Sequence, residues 1–177
     1  MIKLHVTEIK EKAPYLKAGD EVMLTGVIYT ARDAAHKRLL SMIHEGKQTT
    51  FLNLDQSVIY YAGPTPAKNG LAVGSCGPTT SSRMDVFAPE LYDRGLYATI
   101  GKGDRSDEVK KSIIRNGALY FCALGGAGAL ASKAIVKCEV VAFDDLGCES
   151  IKRLEVVDFP LFVGIDCYGN SIFEEVK

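Results

Sequence analysis

Four residues carry the strongest chemical signal in this chain: Arg32, Thr79, Arg83 and Lys102. Each falls where an apolar, strand-like run gives way to a loop and then to a helix-like pattern. Arg32 lies inside Thr30-Ala31-Arg32-Asp33, a Ser/Thr-x-x-Asp/Glu capping box, with His36 one helical turn further on. Thr79 and Arg83 stand four apart in Gly77-Pro78-Thr79-Thr80-Ser81-Ser82-Arg83, where hydroxyl side chains suit the start of a helix. Lys102 sits between Gly101 and Gly103, ahead of the helix that Ser106 should cap. A helix N-terminus presents unpaired N–H groups that favour an anion, and an Arg adds a planar two-pronged grip for a carboxylate. Taken singly, each residue reads equally as a surface charge or a cap. Three cation-bearing junctions at one edge of a sheet would suit a small dianion such as a dicarboxylate.

The elements that must position these residues follow from the apolar pattern. Glu21–Tyr29 is apolar on both faces, as in a buried strand, and the following helix places Ala35, Leu39, Leu40 and Ile43 on one face before ending near Gly46. Leu71–Ser75 reads as a short strand, and a helix then runs toward Arg94-Gly95, broken or kinked at Pro89. Leu96–Ile100 is a strand; the Ser106 helix turns Val109, Ile113 and Ile114 inward and stops at Asn116-Gly117. Strands follow at Ala118–Leu124 and Lys137–Phe143, with a short helix between them reaching about Ile135. The tail reads as a short helix near Glu149–Lys152 and two or three strands, the last two joined at Tyr168-Gly169-Asn170. The expectation is one α/β domain over residues 1–177, a mixed sheet flanked by helices.

Composition narrows the classes. The chain has 177 residues, 21 Lys+Arg against 22 Asp+Glu, 47% hydrophobic residues and 17 glycines. That size supports one domain with a core of its own, and the near-zero net charge argues against a general nucleic-acid binder or a disordered acidic chain. The longest uncharged stretch, Gly117 to Ser132, has 16 residues and four glycines, too short for the roughly 20 residues a membrane-spanning helix needs. The N-terminus has no signal-peptide pattern, and the five cysteines are odd in number with no C-x-x-C, which points to reduced thiols in a cytoplasmic protein.

Other motifs compete for attention. Gly126-Ala127-Gly128-Ala129-Leu130-Ala131 matches the dinucleotide fingerprint, with Asp144 and Asp145 falling 16 to 19 residues after its glycines. Only 52 residues remain from Gly126 onward, too few for the second half of such a domain, so a glycine turn packed closely against the sheet or a substrate is the plainer reading. His5, His36 and His44 lack metal-ligand spacing, and His44 near a helix end reads as solvated. Cys76 beside Gly77 reads as a packed thiol rather than a reactive one. From residue types alone Thr79 is as well explained as a cap, since a hydroxyl is a poor base in water.

The segments TARDAAHKRL (30–39), GPTTSSRMD (77–85), GKGDRS (101–106), LGGAGALASKAI (124–135) and VVDFPLFVGIDCYGNSIF (156–173) come in order across most of the chain. Together they resemble the β subunit, or C-terminal domain, of the iron–sulfur hydro-lyases: class I fumarate hydratase and L(+)-tartrate dehydratase. The resemblance implies a swivelling β/β/α domain that is inactive alone and joins an α subunit holding a [4Fe-4S] cluster, in a hetero-oligomer for which a heterotetramer is one form. It implies an iron acting as Lewis acid on the substrate hydroxyl. By the same resemblance Arg32, Arg83 and Lys102 contact a C4 dicarboxylate, fumarate or malate first and tartrate as the alternative, and Thr79 is the catalytic base. A standalone small-anion or dinucleotide-binding module is the reading from a different class. The chain departs from the family pattern at Asp104, where Asn is expected, and at Cys76, which leaves the preferred diacid open.

Overall fold

The computed structural model describes residues 1–123 and 128–174. Strands β1 (Ile2–His5), β2 (Glu21–Thr30), β3 (Val58–Tyr60), β4 (Ala98–Gly101) and β5 (Leu119–Cys122) lie side by side and run parallel. The long strand β7 (Ile151–Ile165) runs antiparallel to β2 along one edge and to β5 along the other, so the pairs β2–β3–β4–β5–β7 close on themselves. Strand β6 (Ile135–Ala142) extends the sheet beyond β7. Helices α1 (Ile9–Lys12), α2 (Asp33–His44), α3 (Ala88–Asp93), α4 (Asp107–Asn116) and α5 (Gly128–Ala134) occupy the connections. The expected mixed sheet flanked by helices is the architecture observed.

Both faces of the central strands are buried, which is why they read as unbroken apolar runs rather than alternating ones. Alternate residues serve two cores. Ile28, Tyr60, Ile100, Phe121 and Leu154 enter one, together with residues of β1 and α5. Ile59, Tyr61, Tyr120 and Ile165 enter the other, under α2, α3 and α4. Val156 and Phe159 both face the first core although they stand three positions apart, a step that would put them on opposite faces of a regular strand. A bulge near Gly26 (φ +131°) and Asp158 (φ +50°) absorbs the extra residue, and the Asp158 amide donates to Thr25 Oγ1 at 3.0 Å.

Several expectations need correction. Leu71–Ser75 is not a strand, and two strands that the pattern missed are β1 and β3, whose four and three residues are too few to show a period. The single helix expected to run toward Arg94-Gly95 is instead a 3₁₀ turn, Ser81–Met84, followed by α3; Pro89 opens α3 rather than kinking it, since proline at a helix start loses no hydrogen bond. Ile114 faces outward and covers Gly169. The region 144–149 is a 3₁₀ turn, and the tail is one strand, β7, with the 168–170 turn returning Ser171 to pair with Ile165. The Ser106 cap forms as expected, its Oγ accepting from the Val109 amide at 3.3 Å, and Gly117 ends α4 at φ +59°.

Candidate active site

In a parallel sheet, loops at the carboxyl ends of neighbouring strands face one crevice. Here those loops carry all four candidate residues. Arg32 follows β2 and is the N-cap residue of α2. The chain beyond β3 holds the next loop in place: the Tyr61 carbonyl accepts the Thr79 amide at 2.7 Å. Lys102 follows β4, pairs with Thr80 as an isolated parallel bridge, and its carbonyl accepts the Ser81 amide at 2.9 Å. Arg83, on the 3₁₀ turn, reaches back to α2: its Nε donates to Asp33 Oδ1 at 3.1 Å and its Nη2 lies 2.9 Å from Asp33 Oδ2. Arg83 is thus tied to the residue that follows Arg32 in the chain.

Arg32 lies along Gly63. A Cβ at Gly63 would come within 3.3 Å of Arg32 Cδ, 3.4 Å of its Nη1 and 3.1 Å of the Cys148 carbonyl, so a side chain there would push the guanidinium away. Among the described residues Arg32 Nε is buried with no hydrogen-bond partner, and the nearest carboxylate, that of Glu149, stands at 3.9 Å, beyond hydrogen-bonding reach. Lys102 is exposed, Arg83 half-exposed and Thr79 half-buried. Two anchoring features expected from sequence take a different form. Thr30 caps no helix; its Oγ1 instead donates to the Ser150 carbonyl at 3.5 Å and accepts from the Lys152 amide at 3.2 Å. The start of α4 offers little to an anion, because Asp104 and Asp85 already accept the amides of Arg105 and Ser106, each at 2.7 Å.

Sequence reasoning passed over the support beneath these loops. Arg105 is fully buried as a side chain: its Nε donates to Asp85 at 2.7 Å, Nη1 to Thr99 Oγ1 at 3.0 Å and Nη2 to the Tyr61 hydroxyl at 3.1 Å. Both partners of the ion pair sat inside quoted motifs, Asp85 in GPTTSSRMD and Arg105 in GKGDRS, yet only their three-dimensional pairing shows the role. His36 is also completely buried, edge-on to Tyr61 and stacked on Phe87, with Nδ1 2.8 Å from the Arg32 carbonyl. Burial pulls its pKa down to about 4; the Arg105 charge acts in the same direction, while the bond to Arg32 and the Asp33 charge oppose it.

A measurable consequence follows for acid stability. Between the unfolded value of 6.5 and the native value of about 4, the unfolded chain binds a proton that the native chain does not. Stability from this group therefore falls as pH drops through that window, by about 2 kcal/mol at pH 5 and about 3 kcal/mol in full. Urea unfolding at pH 7 and pH 5 should show this loss in the parent chain and lack it in His36→Gln. Equal losses in the two would assign the acid sensitivity to other groups.

The remaining motifs resolve as packing. Cys76 is buried, its thiol pushed up to about 12 by burial, and its carbonyl accepts the Tyr60 hydroxyl at 2.6 Å. Of the fingerprint, Gly126 and Ala127 lie outside the described residues. Gly128 packs against the GPTT turn: a Cβ there would stand 3.3 Å from the Gly77 amide nitrogen and 2.6 Å from Ser75 Oγ. Asp145, one of the two acidic residues such a fingerprint would use, is gripped by both arms of Arg38 at 2.7 and 2.8 Å. His44 is largely exposed and paired with Glu90. Among the described residues no three His, Cys, Asp or Glu side chains converge as metal ligands, and Cys76, Cys122 and Cys167 are buried in the apolar cores. Among the described residues no set of side chains is arranged to ligate an iron–sulfur cluster. Among the described residues no helix is long and apolar enough to cross a membrane.

Fold and site together give an α/β architecture in which the loops at the carboxyl ends of parallel strands carry cationic side chains and a hydroxyl. Residues 1–176 match the family model described as Fumarase C-terminus, and the chain belongs to that family. It is 40% identical over 174 residues to a provisionally named L(+)-tartrate dehydratase subunit beta of Methanocaldococcus jannaschii, covering 95% of this chain and 89% of that protein. It is 37% identical over 171 residues to the anaerobic class I fumarate hydratase of Escherichia coli, covering 96% of this chain and 31% of the relative. It is 41% identical over 155 residues to the mitochondrial fumarate hydratase 1 of Leishmania major, covering 86% and 28%. The chain thus spans about a third of the fumarate hydratases it matches and most of the tartrate dehydratase subunit. The family anticipated from the five motifs is the one found.

Proposed function

We propose that this chain is the β subunit of a hydro-lyase that reversibly adds water to, or removes it from, a C4 dicarboxylate, fumarate and malate foremost. The observation that carries the reading is the meeting of Arg32, Thr79 and Lys102 in the loops after three neighbouring strands, with Arg83 tied to the same end through Asp33. In this role Arg32, Arg83 and Lys102 neutralise and orient the two carboxylates, which lowers the entropic part of the barrier. Thr79 takes or returns the carbon-bound proton. A hydroxyl needs a strongly cationic surrounding to do this, and the three cations supply one. By the family resemblance the [4Fe-4S] cluster of such an enzyme would reside in a separate α subunit, a placement with which the dispersed thiols of this chain agree. The chain is expected to act as one domain within a cytoplasmic hetero-oligomer, a heterotetramer being the simplest symmetric form.

Tartrate dehydration is the second reading, favoured by the near-complete length match to a subunit named for that activity. Dinucleotide binding is disfavoured by the engagement of Asp145 with Arg38. The experiment is to co-express the chain with a cluster-bearing α subunit of the same family, reconstitute iron and sulfide without oxygen, and follow fumarate, malate and tartrate. Turnover is expected only with both subunits present, and the preferred diacid separates the two readings. A fully loaded complex inert on all three diacids would overturn the assignment.

A further inference from the structure

We propose that Tyr120 is a positioning residue, its hydroxyl pinning the Thr79–Arg83 turn to the Lys102 loop and so setting the spacing between two parts of the anion site. The inference rests on the reading of that site as a dicarboxylate site and adds a residue outside every motif that suggested it. Tyr120 stands buried in the centre of β5. Its hydroxyl lies 2.8 Å from Ser81 Oγ and 2.8 Å from the Gly103 carbonyl. The carbonyl can only accept, so Tyr120 donates to Gly103 and the Ser81 hydroxyl donates to Tyr120. The two tethered residues flank the chemistry closely: Ser81 stands midway between Thr79 and Arg83, and Gly103 follows Lys102.

Three further features depend on this approach. Ser81 Oγ occupies the space a Cβ on Gly101 would need, and the Tyr61 ring lies 2.9 Å from the same point, so residue 101 must be glycine for the turn to reach the strand. Gly103 adopts φ +81°, which presents its carbonyl to the phenol in a conformation other residues avoid. The Arg105 guanidinium lies over the Tyr120 ring, 4.7 Å from its centroid, and restrains the ring from below. Burial holds the phenol well above its ordinary range, so the donor keeps its proton wherever the protein is folded. The glycine–lysine–glycine motif is thus explained by the pin as much as by the ligand.

Two measurements test this. In the assembled enzyme, Tyr120→Phe should lower kcat/KM roughly 10- to 100-fold, the scale of an ångström's misplacement, and Ser81→Ala should do the same more mildly. If Tyr120 acts through Lys102, Tyr120→Phe added to Lys102→Ala should cost under about threefold more. In the isolated chain, the Ser81 amide, which donates to Lys102, should exchange its hydrogen at least about tenfold faster in Tyr120→Phe, while the Ile28 and Leu154 amides in β2 and β7 keep their rates. An equal loss of kcat/KM in both backgrounds, or a Ser81 amide exchanging at the parent rate, would overturn the proposal. A complex inert even without substitution would overturn the hydro-lyase reading instead, and the exchange rates would still decide whether the pin exists.

Discussion

Arg105→Ala is expected to destabilise the chain by about 3–5 kcal/mol, the cost typical of removing one partner from a buried ion pair. The reason lies in what the substitution leaves behind. Asp85 is only 11% exposed as a side chain, and its nearest cation would be gone, while Thr99 Oγ1 and the Tyr61 hydroxyl would each lose a donor. For a chain of this size each kcal/mol shifts the melting temperature by about 2–4 °C, so a fall of about 6–20 °C is expected. Pairing Arg105→Ala with Asp85→Ala discriminates the cause. If the orphaned carboxylate dominates, the double variant should be destabilised by clearly less than the sum of the singles. Additive losses would mean that Arg105 contributes by packing alone, through its contacts with the rings of Tyr61 and Tyr120.

The second large effect belongs to Thr79. In the assembled enzyme Thr79→Val should lower kcat by roughly 10²–10⁴, the usual worth of a positioned proton-transfer group, whereas Thr79→Ser should keep most of the rate. Valine preserves the shape, and the backbone bond from the residue 79 amide to the Tyr61 carbonyl is independent of the side chain, so the loop itself should hold. The comparison therefore isolates the hydroxyl. Equal rates in the two variants would reduce Thr79 to a backbone anchor of the loop. A loss confined to KM would instead make it a ligand of the diacid rather than the group that moves the proton.

Most of the sheet was legible because its causes are local. The buried strands β2, β4 and β5 announce themselves as apolar runs, the Ser106 cap and Gly117 stop follow from side chains within four residues of their targets, and Gly128 reads correctly as a tight packing point. The errors cluster where local signals are short or ambiguous. β3 is three residues long. Thr30 has the residue type of a cap but spends its hydroxyl on the strand beside it. The 3₁₀ turn at Ser81–Met84 is too short for its period to separate it from a helix.

The residue types and order along the chain determined the family, the mixed sheet of buried strands and the four candidate side chains. Which of those side chains stand together, and what holds them there, was decided only by tertiary structure. Asp33 grips Arg83 from 50 residues away, and Asp85 grips Arg105 from 20. Tyr120, in no recognised motif, reaches two loops at once. Such pairings depend on where strands carry their loops in space, and neither periodicity nor propensity encodes that distance.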